Sequence, residues 1–139
     1  MSDSLPSYTL HEDVMFYDTD LGGVVHNLAY LRMIEACRTK LATEGLGMDL
    51  KTMAETNLYP VVLSSAVEYK FPATLGHKLK VIVSLDSVER VKFWVKAEIY
   101  AEGVDRVLVT ARQSLAMVQM PNAKPQRLPK EWRERWATS

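Results

Sequence analysis

Residues 25–46 run without a proline, and within them Tyr30, Met33, Ile34, Cys37 and Leu41 recur at helical spacing while Arg32, Glu35, Thr39 and Thr43 fall on another side. No other stretch reads as a long helix, so the fold must bury this one element. Gly45 and Gly47 end it, and a weaker helical turn over residues 49–55 closes at Asn57-Leu58-Tyr59-Pro60. From residue 61 to residue 120 the pattern is that of strands. The first covers 61–71 and stops at Pro72-Ala73-Thr74-Leu75-Gly76. Leu79, Val81, Val83 and Leu85 alternate with Lys78, Lys80, Ile82, Ser84 and Asp86, and Val91, Phe93, Val95, Ala97 and Ile99 alternate with Lys92, Trp94, Lys96 and Glu98, so each strand is expected to bury one face. Glu102-Gly103-Val104-Asp105 turns the chain into a last strand over 106–120, beyond which Pro121, Pro125 and Pro129 forbid regular pairing. Ahead of the helix, residues 8–16 read as a strand entering the turn-rich loop Tyr17-Asp18-Thr19-Asp20-Leu21-Gly22-Gly23.

A strand, a loop, one long helix and four strands joined by short turns predict an α+β domain in which an antiparallel sheet covers the helix. The helix is apolar over more than one stripe (Leu28, Tyr30, Leu31, Met33, Ile34, Ala36, Cys37), which suits an element enclosed by a curved sheet. That arrangement is the hotdog fold. No internal repeat, low-complexity tract or linker is visible, so residues 1–139 are expected to form a single domain with 121–139 as a tail. In that tail, residues 129–136 read as a short helix whose Trp132 and Trp136 pack on the domain.

Charge narrows the partners. Lys plus Arg total 17 and Asp plus Glu total 17, which gives no net field for nucleic acid or an anionic membrane. The lone Cys37 falls in an apolar helical pattern and reads as core, with no disulfide framework and a reducing compartment implied. His11 and His77 have no partner at metal-ligand spacing, so no metal is expected. The chain does not open on a basic segment followed by an apolar run, and no stretch approaches the ~20 apolar residues of a membrane span. A cytoplasmic protein is expected.

The segment that carries chemistry is FYDTDLGGVVHNLAYLRMIEACR, residues 16–38, where an acidic loop passes through two glycines into the start of the long helix. Glycines allow close backbone approach and positive φ, and the first amides of a helix lack internal partners, so they can donate to a developing oxyanion. A carboxylate near the same carbonyl would complete an acyl-transfer site, and Asp20 lies three residues from the glycine that precedes the helix. Asp18 and Asp20 can also be read as turn and capping residues. Glu35 lies one turn from Arg32 and Arg38, where it serves either as an ion-pair partner or as a supporting active-site acid. His26 is a candidate to orient water or substrate, or a polar cap at the helix start.

The pattern D-x-D-x-x-G-x-V, then Tyr, then Glu and Arg on the helix, is carried here by Asp18, Asp20, Gly23, Val25, Tyr30, Glu35 and Arg38. It resembles the 4-hydroxybenzoyl-CoA thioesterase and YbgC-type group of small hotdog enzymes. The resemblance continues through Val67-Glu68-Tyr69 and through Lys124-Pro125-Gln126-Arg127-Leu128-Pro129, and so spans nearly the whole chain. It implies an acyl-CoA thioesterase in which Asp20 is the catalytic carboxylate, acting as nucleophile or as general base. It also implies that amides around Val25, His26 and Asn27 polarise the thioester carbonyl. Where many YbgC-type members carry Tyr-His, this chain has His26-Asn27, and Asn27 is similar to the His-Val-Asn-Asn segment of acyl-carrier-protein thioesterases.

The same resemblance puts Tyr30 at the substrate site and basic residues at the turn flanked by Arg90 and Lys92, which would hold the phosphates of CoA, with Arg106 and Lys70 as lesser candidates. A sheet on one helix leaves long edge strands, so a homodimer or a dimer of dimers (a homotetramer) is expected. Val62, Leu63 and Ser64 would then line a pocket between chains. No cofactor is expected beyond the CoA of the substrate. Three other readings stay open: an acyl-carrier-protein thioesterase, a hotdog hydratase or dehydratase using His26 with Glu35, and a non-catalytic acyl-carrier binding module.

Overall fold

A computed structural model describes residues 4–136. The elements in chain order are β1 (Ser7–Asp13), a single 3-10 turn (Phe16–Asp18), α1 (Asn27–Gly45), α2 (Leu50–Thr56), β2 (Leu58–Tyr69), β3 (Lys78–Val88), β4 (Lys92–Ala101), β5 (Val107–Gln119), β6 (Lys124–Gln126) and α3 (Lys130–Trp136). The strands form one antiparallel sheet in the order β1-β3-β4-β5-β2, and, against the expectation that the prolines end regular pairing at residue 120, β6 pairs with the last residues of β5 where β4 has ended, Pro125 lying opposite Val118 on a strand with a free edge. This is the hotdog arrangement expected from the strand and helix pattern.

The core forms where the two periods meet. Leu79, Val81, Val83 and Leu85 of β3 and Phe93, Val95, Ala97 and Ile99 of β4 turn one buried face toward α1, whose Met33, Ile34, Cys37 and Leu41 are fully buried. A register shift between Leu85 and Ser87 re-phases β3 so that Val88 also points inward. The Cys37 thiol donates to the carbonyls of Tyr8 and Val81, and burial pushes its pKa up, as befits a core residue. Trp132 of α3 meets Phe93 edge to face at 5.3 Å, so the tail closes the core at that end.

Several boundaries differ from the sequence reading. The first strand ends at Asp13, because Val14 turns inward and residues 16–18 coil into the 3-10 turn. β2 begins at Leu58, ahead of the expected residue 61, and includes Pro60, which an edge strand tolerates because one side needs no amide donor. Val91 is exposed and lies outside β4. The helix is not enclosed on all sides: Leu28 is 66% exposed, and the α1 face that carries it remains uncovered within the chain. Beside that face runs β2, exposed over residues 62–66.

Candidate active site

The loop between β1 and α1 is tied down residue by residue. Asp18, 2% exposed, accepts the Met15 amide at 2.9 Å through Oδ2, and its Oδ1 lies 3.7 Å from Arg32 Nη2. Arg32 also bonds Glu12 at 3.1 Å, so one guanidinium joins α1, β1 and the loop. Its pKa is raised, chiefly by the Glu12 hydrogen bond. Asp20-Leu21-Gly22-Gly23 then forms a tight turn, closed by the Gly23 amide on the Asp20 carbonyl (3.1 Å). Gly22 and Gly23 take φ of 93° and 71°, which a side chain would resist. The turn is held from beyond by the segment after β2: the Val25 amide donates to Ala73 O (2.9 Å) and the Leu75 amide to Gly23 O (2.9 Å). Tyr30, buried in α1, accepts the Ala73 amide on its hydroxyl at 2.9 Å, and burial raises its pKa.

This lacing leaves Asp20 on the rim of a cleft of about 410 Å³. Residues 24–27, Tyr30 and residues 69–72 line the rest. The Asp20 carboxylate is exposed and makes no hydrogen bond or ion pair with any described residue.

Accounting for the amides at the helix start narrows the expected oxyanion donors. The Val25 amide is taken by Ala73 O and the His26 amide by Asp18 O (3.0 Å), so these two are committed to the fold. The amides of Asn27 and Leu28, which open α1, have no acceptor among the described residues. Of the three expected donors, only Asn27 is free to turn to a ligand. His26 is the N-cap: its Nδ1 accepts from the Ala29 amide at 3.1 Å and its Nε2 faces Tyr17 O at 3.3 Å, so hydrogen bonding assigns the proton to Nε2. With both nitrogens engaged, it has none left for proton transfer in this arrangement.

The other expected site residues lie elsewhere in the chain. Glu35 is exposed, 3.6 Å from Arg38, and faces a trough with Leu28, Leu31, Val62 and Gln113 rather than the Asp20 cleft. Arg38 is half-buried, donates to Gln113 Oε1 at 2.5 Å, and is pulled below its ordinary pKa by burial, against the pull of Glu35. Ser64 shares a hydrogen bond with buried Ser114 of the neighbouring β5. Leu63 lines a groove of about 510 Å³ with Arg90 and Lys92. That groove also touches Val61, eight residues along β2 from Tyr69, or about 26 Å at ~3.3 Å per residue. Within one chain, Asp20 and the Arg90–Lys92 pair therefore lie toward opposite ends of the sheet.

Two residues absent from the expected site line the cleft: Tyr69, whose ring lies 5.7 Å from that of Tyr30, and Phe71, whose ring carries the Arg106 guanidinium at 3.7 Å. Lys70 lines the cleft as well. In the sequence Tyr69 belongs to the family resemblance and Lys70 is a lesser candidate for the phosphates, while Phe71 has only its place just before Pro72 as a signal.

The sequence profile of the Thioesterase-like superfamily matches residues 14–136. The chain is 30% identical over 118 residues to the 1,4-dihydroxy-2-naphthoyl-CoA hydrolase of Thermosynechococcus vestitus, covering 84% of this chain and 77% of that protein. It is 29% identical over 117 residues to the acyl-CoA thioester hydrolase YbgC of Escherichia coli, covering 84% and 86%. The crystal structure of a 1,4-dihydroxy-2-naphthoyl-CoA thioesterase from Synechocystis superposes with a TM-score of 0.80 at 20% identity, over 91% of this chain and 93% of that one, a likeness of fold. On the profile match and the related sequences, the chain belongs to the thioesterase-like superfamily.

Proposed function

We propose that the protein hydrolyses acyl-CoA thioesters at the Asp20 cleft, giving a carboxylic acid and free CoA. One observation carries the reading: an exposed carboxylate with no polar partner among the described residues shares a cleft with a helix start whose first two amides have no acceptor among them. The thioester carbonyl oxygen would receive the Asn27 amide, with Leu28 beside it, and the helix dipole would favour the charge that develops there. Asp20 then has two routes. It can attack the carbonyl carbon, expel the CoA thiolate and form a mixed anhydride that water cleaves. Alternatively, it can take a proton from water as that water attacks. Either route consumes one water and releases the thiol with its proton, and neither draws on a metal or redox group. The names of the related hydrolases support this reading.

A homodimer joined through β2 completes the site. Antiparallel pairing of two β2 strands about the exposed residues 62–66 would cover Leu28 and Val62 and bring the Arg90–Lys92 end of one copy to the Tyr69 end of the other. CoA phosphates would then meet basic residues from one chain while the thioester meets Asp20 from the second. Pairs of such dimers would form the tetramer. Nothing in the geometry favours a hydratase, since His26 is spent as a cap and Glu35 lies outside the cleft. Among the described residues no helix is long and apolar enough to cross a membrane.

The test is release of free thiol over a panel of acyl-CoAs and acyl-carrier-protein thioesters. Thiol release supports hydrolysis, and its distribution over the panel identifies the carrier. An acyl group changed while the thioester persists would point to a hydratase, and binding without turnover to an acyl-carrier module.

A further inference from the structure

The gap between α1 and β2 leads to a pocket that the catalytic reading leaves unused. It lies beneath α2, has a volume of about 120 Å³, and is walled by Leu41, Leu46, Met48, Met53, Phe93 and Leu115. Its only polar side chains, Glu35, Arg38 and Thr39, come from one face of α1. Glu35 and Arg38 also line the open trough with Leu28 and Val62, so they mark the mouth. Arg38 is fixed there by Gln113, which in turn donates to Ser65 at 3.0 Å.

We propose that this pocket takes the distal end of an unsubstituted aliphatic acyl chain of about four to six carbons, presented by the Asp20 site of a second copy of the chain. The inference rests on the thioesterase reading and names its substrate class. Thr39 is an exposed residue, so its hydroxyl lies at the same rim, and the rest of the lining carries no hydroxyl, amide or charged side chain; a hydroxylated aromatic acyl group would bury its hydroxyls unpaired there, whereas a plain chain loses nothing by entering. At roughly 30 Å³ per methylene, close to the volume of one water, the space holds about four. Met48 and Met53 are flexible enough to close around a chain of variable shape.

Reach decides which catalytic site the pocket serves. Asn27 and Arg38 are eleven residues apart on α1, about 16 Å at ~1.5 Å per residue. Five carbon–carbon bonds of ~1.5 Å span less than ~8 Å, so a hexanoyl group held at Asn27 cannot reach the pocket of its own chain. Antiparallel pairing of β2 sets the Pro60 end of one copy beside the Tyr69 end of the other, and Pro60 lines this pocket. The pocket of one chain thus opens beside the partner's cleft.

The test is kcat/KM over straight-chain acyl-CoAs from acetyl to decanoyl. Wild type should gain about fourfold per methylene up to hexanoyl and then level off or fall. Met53→Trp, which fills the pocket, should lower the hexanoyl-to-acetyl ratio at least tenfold. Ala42→Phe, on the opposite wall, serves the same purpose if thermal melting shows that Met53→Trp does not fold. Mixed dimers of Asp20→Asn with Met53→Trp should exceed the reduced hexanoyl hydrolysis of both parent homodimers, because one site then joins an intact Asp20 to an intact partner pocket. A ratio that the filling variants leave unmoved, or mixed dimers without recovery, overturns the proposal while leaving acyl-CoA hydrolysis standing. A wild type that releases no thiol from any acyl-CoA overturns both.

Discussion

Two stretches of the loop between β1 and α1 lie side by side in the sequence and are built in opposite ways. Around Asp18 every polar group is partnered: its carboxylate holds the Met15 amide and faces Arg32, and its carbonyl holds the His26 amide. At Asp20 the backbone amide and carbonyl are both bonded as well, yet the carboxylate has no partner among the described residues. The difference teaches how a short acidic loop can serve chemistry. One aspartate is buried and ties the loop down, and the second stands in the open without a polar partner among the described residues, which is what the proposed mechanism asks of it. The same division recurs among the amides, where those of Val25 and His26 build the loop and those of Asn27 and Leu28 have no acceptor among the described residues.

The sharpest way to separate the two aspartates is to remove one charge at a time. Asp20→Asn should lower kcat by about 10²-fold or more, the scale of a lost general base, and leave the unfolding free energy within about 0.5 kcal/mol of wild type, since no partner among the described residues is lost. The next largest effect is expected at the β2 edge. Val62→Asp places a charge on the exposed strand, and if the site is shared between two chains as proposed, sedimentation should show dissociation toward monomer with thiol release falling in parallel. Asp18→Asn should show the opposite balance to Asp20→Asn: a loss of about 1–3 kcal/mol in thermal or urea unfolding, from a buried carboxylate parted from Arg32, with a smaller fall in kcat. Gly22→Ala comes last. Its φ of 93° makes a side chain cost about 1 kcal/mol, although a Cβ there would touch nothing, so the midpoint should drop slightly while the turn still forms.

Periodicity made most of this fold legible in the sequence. The alternation in β3 and β4 and the 3.6-residue spacing of Met33, Ile34, Cys37 and Leu41 each report a buried face, and both faces are buried as expected. Pro60 hid the start of β2, because a proline reads as a stop until the strand is known to lie at an edge. At the site, the motif pointed to Asp20 and the helix start but could not say which amides remain free. That depends on Ala73 and Leu75, fifty residues further along, whose pairing with Val25 and Gly23 is a property of the folded chain. The distance between Asp20 and Arg90 was equally hidden, since it follows from the direction in which β2 crosses the sheet. Tyr69, although part of the family resemblance, and Phe71 are not assigned to the site by the sequence, because an aromatic residue at a strand end carries no mark of the cleft it lines.

The central claim is that Asp20 acts in the chemical step and Asp18 does not. Single-turnover thiol release, with enzyme in excess over a good acyl-CoA substrate, isolates that step from binding and product release. The account predicts a rate constant for Asp20→Asn at least about 10²-fold below wild type, and one for Asp18→Asn within about tenfold, on samples shown by melting to be folded. Equal losses in the two variants, or a near-normal rate in Asp20→Asn, would contradict it.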